Sequence, residues 1–233
     1  MRIGVFLFCV LCLSQTVYSQ SLYEKHKGLS TYAIIQSAWQ DLGALRTALA
    51  SEGLPQPGNH TFMIGVGILY QLRSGTSFAL EGGWSSSTSS QPSSVVTLLP
   101  SQYQLVVRQL FLKHQPVRPF IGLGIGGSIQ QLRVTRPGSP QQDFPSQIQT
   151  PGTSILYQEL PYAQVSAGIN FAGGPAGITE FVEIEGGLRT QLSDGQWHTD
   201  FVENITLPGE QFRQWFISAK AGINFKAKKK GRG

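Results

Sequence analysis

The chain has 233 residues, only 13% of them charged, with 27 glycines and a formal net charge of +5. Five of the 18 cationic residues sit in the last eight, KAKKKGRG, and residues 20–225 carry twelve cations against thirteen acids. This excludes a basic nucleic-acid-binding face. Both cysteines, Cys9 and Cys12, lie near the N-terminus, so the rest of the chain has neither a disulfide framework nor a cysteine metal site.

In chain order, Arg2 precedes the apolar run Ile3–Leu13 and a polar stretch ending Val17-Tyr18-Ser19. That pattern predicts a secretory signal peptide over residues 1–19, cut after Ser19. The apolar run is too short for a membrane helix, and no apolar run of 18 or more follows it.

Eight alternating segments follow, each predicting a strand. They are Gly28–Ala38, Thr61–Arg73, Ser77–Trp84, Tyr103–Phe111, Pro119–Gln130, Tyr157–Phe171, Glu180–Thr190 and Arg213–Phe225. The connections alternate as well. Arg73–Ser77, His114–Arg118 and Ala172–Thr179 are short; Ala38–His60, Ser85–Gln102, Gln131–Ser154 and Gln191–Gln211 are long. The first long connection predicts a helix, DLGALRTALASEG, capped by Asp41 and stopped by Gly53 and Pro55. Leu42, Leu45 and Leu49 share one of its faces, which is expected to rest on the barrel mouth.

Strand 2 is longer than most strands of soluble proteins, and one parity is wholly apolar: Phe62, Ile64, Val66, Ile68, Tyr70 and Leu72. Short turns at one end and long loops at the other, with one greasy parity, predict an eight-stranded antiparallel up-and-down transmembrane β-barrel. Both termini then lie on the short-turn side, as export through the periplasm requires. Ile64, Val66, Leu80, Val107, Leu123, Ile125, Val165, Ile184 and Ile217 are the expected lipid contacts.

The rings fit two aromatic girdles. Tyr70, Phe78, Phe111, Phe171 and Phe225 fall at the turn end of the apolar parity, and Phe62, Tyr103, Tyr157 and Trp215 towards the loop end. The opposite parity carries Glu81, Arg108, Glu183, Glu185, Arg189 and Lys220, the expected lumen charge network. The expected pairs are Glu81–Arg108 and Glu183 or Glu185 with Lys220, with Tyr162, Gln164 and Phe216 completing a plug. Exceptions are Gln109, Glu180 and Arg213 on the lipid parity, the last two near strand ends where long side chains reach water.

Over residues 28–225 the chain resembles the small OmpA/OmpX-like eight-stranded outer-membrane barrels, especially the cysteine-free ones of Bacteroidetes-type bacteria. KAGINF (Lys220–Phe225) resembles the assembly signal of such proteins, with Lys220, Gly222 and Phe225 at its positions; eight residues follow Phe225 here. The resemblance implies the outer membrane as location, outer-membrane lipids and the barrel assembly machinery as partners, and a possible extracellular ligand on the long loops. It implies a structural or surface-interaction role, as in adhesion or envelope integrity. A narrow passive pore is the alternative.

Chemistry has few candidates. His26, His60, His114 and His198 all lie outside the predicted strands, so no nucleophile–base pair of a lipid-modifying enzyme is expected. No cofactor or metal site is expected either. Gly122, Gly124 and Gly126 recur every second residue within a strand, which makes them an inward row rather than a nucleotide loop. The tripeptides at Asn59 and Asn204 read as chance sequons, and residues 226–233 as a solvated basic tail. A soluble lipocalin-like carrier would need an apolar lumen, which these charges oppose.

Overall fold

The computed structural model describes residues 28–72, 74–112, 115–135, 153–172, 181–193, 195, 197–198 and 212–225. The signal peptide, the connection 173–180, most of the loops 136–152 and 199–211, the tail 226–233, His26, His114, Glu180 and the Asn204 sequon lie outside those residues.

The strands are β1 (Gly28–Gln40), β2 (His60–Gln71), β3 (Thr76–Ser85), β4 (Ser87–Gln91), β5 (Ser94–Leu110), β6 (Val117–Thr135), β7 (Thr153–Ala172), β8 (Phe181–Gln191), β9 (Trp197–His198) and β10 (Arg213–Phe225), with one helix, α1 (Gly43–Ser51). Eight of them close into a barrel in the order β1-β2-β3-β5-β6-β7-β8-β10, and β10 pairs back onto β1. Every pairing is antiparallel between neighbours in this order, as expected of an up-and-down barrel.

The register sets the shape. Stepping across partners from Ser30 leads through Leu69, Ala79, Val106, Gly124, Gln164, Arg189 and Gln214, and arrives at Gln40 on the strand of departure. A shear of ten residues over eight strands tilts the strands by about 40° and makes a barrel whose interior side chains just fill.

Two of the turns are tight. Between β2 and β3 the Leu72 N–H donates to the Thr76 carbonyl at 2.8 Å, and Gly75 takes the left-handed φ of 91° that a side chain would disfavour. Between β5 and β6, Leu112 carries a φ of 51°, and the Phe111 N–H donates to the Pro119 carbonyl at 2.8 Å.

The other end departs from expectation. Ser85–Gln102 forms a β4–β5 hairpin, not a loop, with β5 laddered to β4 on one side and to β6 on the other. Strands β5, β6 and β7 continue about six residues, roughly 15 Å, beyond the rim marked by Gln40, His60 and Arg213. Helix α1 packs on the inner side of this extension. Leu42, Leu45 and Leu49 form a core with Val96, Leu98, Leu132, Leu156 and Trp197. The helix begins at Gly43, after the expected cap, and the Asp41 carboxylate accepts the Gly43 N–H at 3.0 Å. Gly53 takes a φ of 68° just past the end of the helix.

Below the rim the outer face is apolar. Leu123, Ile125 and Val165 are each more than 60% exposed, far above what a water-facing surface of one domain presents as a continuous band. A polar pair near the turn end of that face is internally satisfied, with the Thr76 hydroxyl donating to the Gln109 side-chain oxygen at 2.9 Å.

Candidate functional site

The lumen is built from pairs of unequal size. Each large inward ring sits opposite a glycine on the neighbouring strand: Tyr32 opposite Gly67, Phe120 opposite Gly168, Tyr162 opposite Gly126, Phe216 opposite Gly187 and Phe181 opposite Gly222. A Cβ added at any of these glycines would meet the facing ring closer than van der Waals contact allows. The glycine richness read from the sequence is therefore the space in which the inner rings lie.

Within that frame five charges meet at one level. Glu81 (β3), Arg108 (β5), Glu183 and Glu185 (β8) and Lys220 (β10) come from four strands around the wall, and all are at most 5% exposed. The Arg108 guanidinium donates to Glu81 Oε1, and its other contacts are Glu183 at 3.5 Å and Glu185 at 3.6 Å. Lys220 Nζ donates to Glu81 Oε1 at 2.6 Å and to Glu185, and lies 3.6 Å from Glu183. Each cation thus touches all three acids, a denser arrangement than two separate pairs. Lys220 faces Glu183 directly by register. Arg108 and Glu81 are diagonal, since Arg108 is opposite Ser77, and long side chains bridge the offset.

Neutral partners complete the layer. The Tyr32 hydroxyl donates to Glu81 at 2.7 Å, Gln104 Nε2 donates to Glu81 Oε2 at 2.6 Å, and Asn170 Nδ2 donates to Glu183 at 3.3 Å. The sequence reading did not name these three, although Tyr32, Gln104 and Asn170 share the inward parity with the charges.

Arg189 is separate. No described carboxylate lies within ion-pair distance of it. Its guanidinium donates to Gln164 at 2.8 Å, Gln214 at 2.7 Å and Gln36 at 2.9 Å, and also to Gln102. It lies 4.2 Å over the Phe216 ring. Gln164 was expected in the lumen; Gln36, Gln102 and Gln214 were missed, and their signal was a shared parity at one level of the barrel. With Arg189 and the buried Arg118 of β6 included, the described lumen holds three acids and four bases.

The space between the two layers, bounded by Glu81, Gln36, Gln102 and Arg189, measures about 20 Å³. That is room for about one water molecule. Above it Tyr162 donates to Gln104 at 3.1 Å and stacks on Phe212 with ring centroids 5.7 Å apart. The α1 core lies above this level.

On the outer face the rings form two rows. Tyr70, Phe78, Phe111 and Phe171 are exposed near the turns, and Phe62, Tyr103 and Trp215 are exposed about 20 Å higher. Phe225 ends β10. Trp39 and Trp84, which were not assigned, join the upper row at 44% and 54% exposure. Tyr157 does not belong to it: β7 begins above the rim, so Tyr157 stands roughly 12 Å higher, half-buried beside His198 of β9. Of the assembly-signal positions, Lys220 is inside the charge layer and Gly222 faces Phe181.

No family model matches the chain, and no curated protein matches it. Among solved structures it is similar to Neisserial surface protein A, at 16% identity over 85% of this chain and 98% of that one, with a TM-score of 0.48. It is also similar to Ail, the attachment invasion locus protein of Yersinia pestis, at 11% identity over 84% and 99%, with a TM-score of 0.43. A third is the outer membrane protein OprG of Pseudomonas aeruginosa, at 11% identity over 85% and 97%, with a TM-score of 0.42. The barrel assignment rests on the register above and not on these likenesses.

Proposed function

We propose that the chain is a non-enzymatic barrel of the bacterial outer membrane with a structural or surface-interaction role and a closed polar lumen. The observation that carries this is the inversion of the barrel wall. A continuous exposed apolar band lies between two aromatic rows, and charges and amides lie inside. Only a hydrocarbon surround makes that arrangement favourable. In this reading the barrel assembly machinery recognises Lys220, Gly222 and Phe225, the lipids contact the apolar band, and an extracellular ligand meets the extended β4–β7 sheet and its loops.

The narrow-pore alternative needs a water path through the lumen, and the two charge-and-amide layers oppose one. Purified protein in a planar bilayer tests this. The expected result is a heat-modifiable, detergent-extracted barrel with no steady conductance. Steady large conductance would overturn the closed lumen, and extraction by salt alone would overturn the membrane assignment.

A further inference from the structure

At the upper row of rings the outer wall is recessed. Trp39 and Trp215 are register partners on β1 and β10, and both present their rings outward. Above them the strand ends bring Asp41, Asn59 and Arg213 around a cavity of about 530 Å³, which Gln40 also lines. Trp39 is braced from β2: its ring lies 5.2 Å from that of His60, whose Nε2 is 2.6 Å from the Ser37 hydroxyl. The Asp41 carboxylate already accepts the Gly43 N–H through one oxygen, which fixes its position. No described carboxylate pairs with Arg213, although it sits on the otherwise apolar parity.

These groups specify a ligand. Two indole faces suit the C–H face of a sugar ring. A guanidinium fork suits a phosphate. The Asp41 carboxylate and the Asn59 side-chain amide, whose oxygen also accepts from Arg46 at 3.4 Å, suit hydroxyls; a carboxylate there disfavours a bare anion. The height of the recess decides the source. It lies where the apolar band ends, so an occupant can keep acyl chains against the wall while its head stays in water.

We propose that this recess is a headgroup site for a phosphorylated sugar amphiphile of the outer leaflet, with the sugar against Trp39 and Trp215 and the phosphate on Arg213. The site rests on the outer-membrane reading, because its depth has meaning only there. Its role is to tie the lower edge of the extracellular cap, through Asp41 and Asn59, to the surrounding leaflet.

Native mass spectrometry of the assembled barrel in micelles of an uncharged polyoxyethylene detergent tests it. Assembly is checked first by the heat-induced gel shift, so failure of the membrane reading is seen before binding is scored. The probes are diphosphorylated lipid A, its dephosphorylated form, and phosphatidylglycerol. Lipid A should bind about tenfold more tightly than either of the others, and Arg213→Gln should remove about that factor. Trp215→Leu, which keeps the apolar surface, should weaken all sugar-bearing probes, whereas Arg133→Gln, at an exposed β6 position above the rim, should change nothing. Equal binding of phosphatidylglycerol would overturn the site, as would an unaltered affinity in Arg213→Gln. Displacement by glucosamine 1-phosphate at matched concentration would overturn the lipid source.

Discussion

One strand crosses two regions dressed in opposite ways. On β5 the inward parity begins in the cap with Val96 and Leu98, both buried in the α1 core, and continues below the rim as Gln102, Gln104 and Arg108. Its outward parity is mixed in the cap, where Val95, Thr97 and Leu99 are half-buried, and becomes wholly exposed and apolar below the rim at Tyr103, Leu105 and Val107. β6 and β7 repeat the inversion: Leu132 and Leu156 face inward in the cap, while Arg118, Gln164 and Ser166 face inward in the barrel. The backbone ladder is continuous through the change, so hydrogen bonding does not cause it. The surroundings do. In water the apolar face turns inward; in hydrocarbon no gain attaches to hiding apolar groups, and a lipid-facing charge costs energy.

That contrast can be broken in order of expected effect. Arg108→Ala leaves three carboxylates facing only Lys220 at this level, and a destabilisation of about 3–5 kcal/mol is expected in urea unfolding from bilayers. An unchanged midpoint would mean that the charges only solvate the lumen. Next, Leu45→Ala opens the cap core. A loss of roughly 2–5 kcal/mol is expected there, read as faster hydrogen exchange in α1 with the β2 and β10 amides unaffected. Equal acceleration in both would show that cap and barrel unfold as one unit.

Val66→Arg, halfway between Phe62 and Tyr70 on β2, sharpens the position of the boundary. At mid-wall it should cost about 2–4 kcal/mol of folding free energy in bilayers, while Thr97→Arg, above the rim, should stay within about 0.5 kcal/mol. Similar costs at both would move the water boundary. The smallest effect concerns packing inside the wall. Gly187→Ala forces a methyl against the Val165 carbonyl oxygen at 2.5 Å and the Phe216 ring at 2.8 Å, and about 1–3 kcal/mol is expected, of which only the ring's share can be relieved at Phe216. The double change Gly187→Ala with Phe216→Leu should recover part of it in the same melts, and full additivity would refute the ring-over-glycine packing.

The sequence alone determined the number, order and parity of the eight strands of the barrel wall, because a two-residue period and alternating connection lengths are local signals; β4 and β9 were not read from it. Arg213–Phe225 was legible to both ends, since polar and apolar residues change places at each. The girdle was legible except at its upper edge: Tyr157 has the parity of a girdle residue, and only the length of β7 shows that it stands above the rim. The hairpin within Ser85–Gln102 was hidden because Ser/Thr-rich segments carry little hydrophobic alternation, and the ladder there depends on β6 alongside. Parity told which charges face inward, but not that Glu81, Arg108, Glu183, Glu185 and Lys220 form one cluster while Arg189 sits apart among glutamines. Depth in a tilted barrel depends on shear, and shear is a sum of registers around the whole wall. No single strand contains it, so the meeting of five charges and the pairing of each inner ring with a glycine were decided only when the barrel closed.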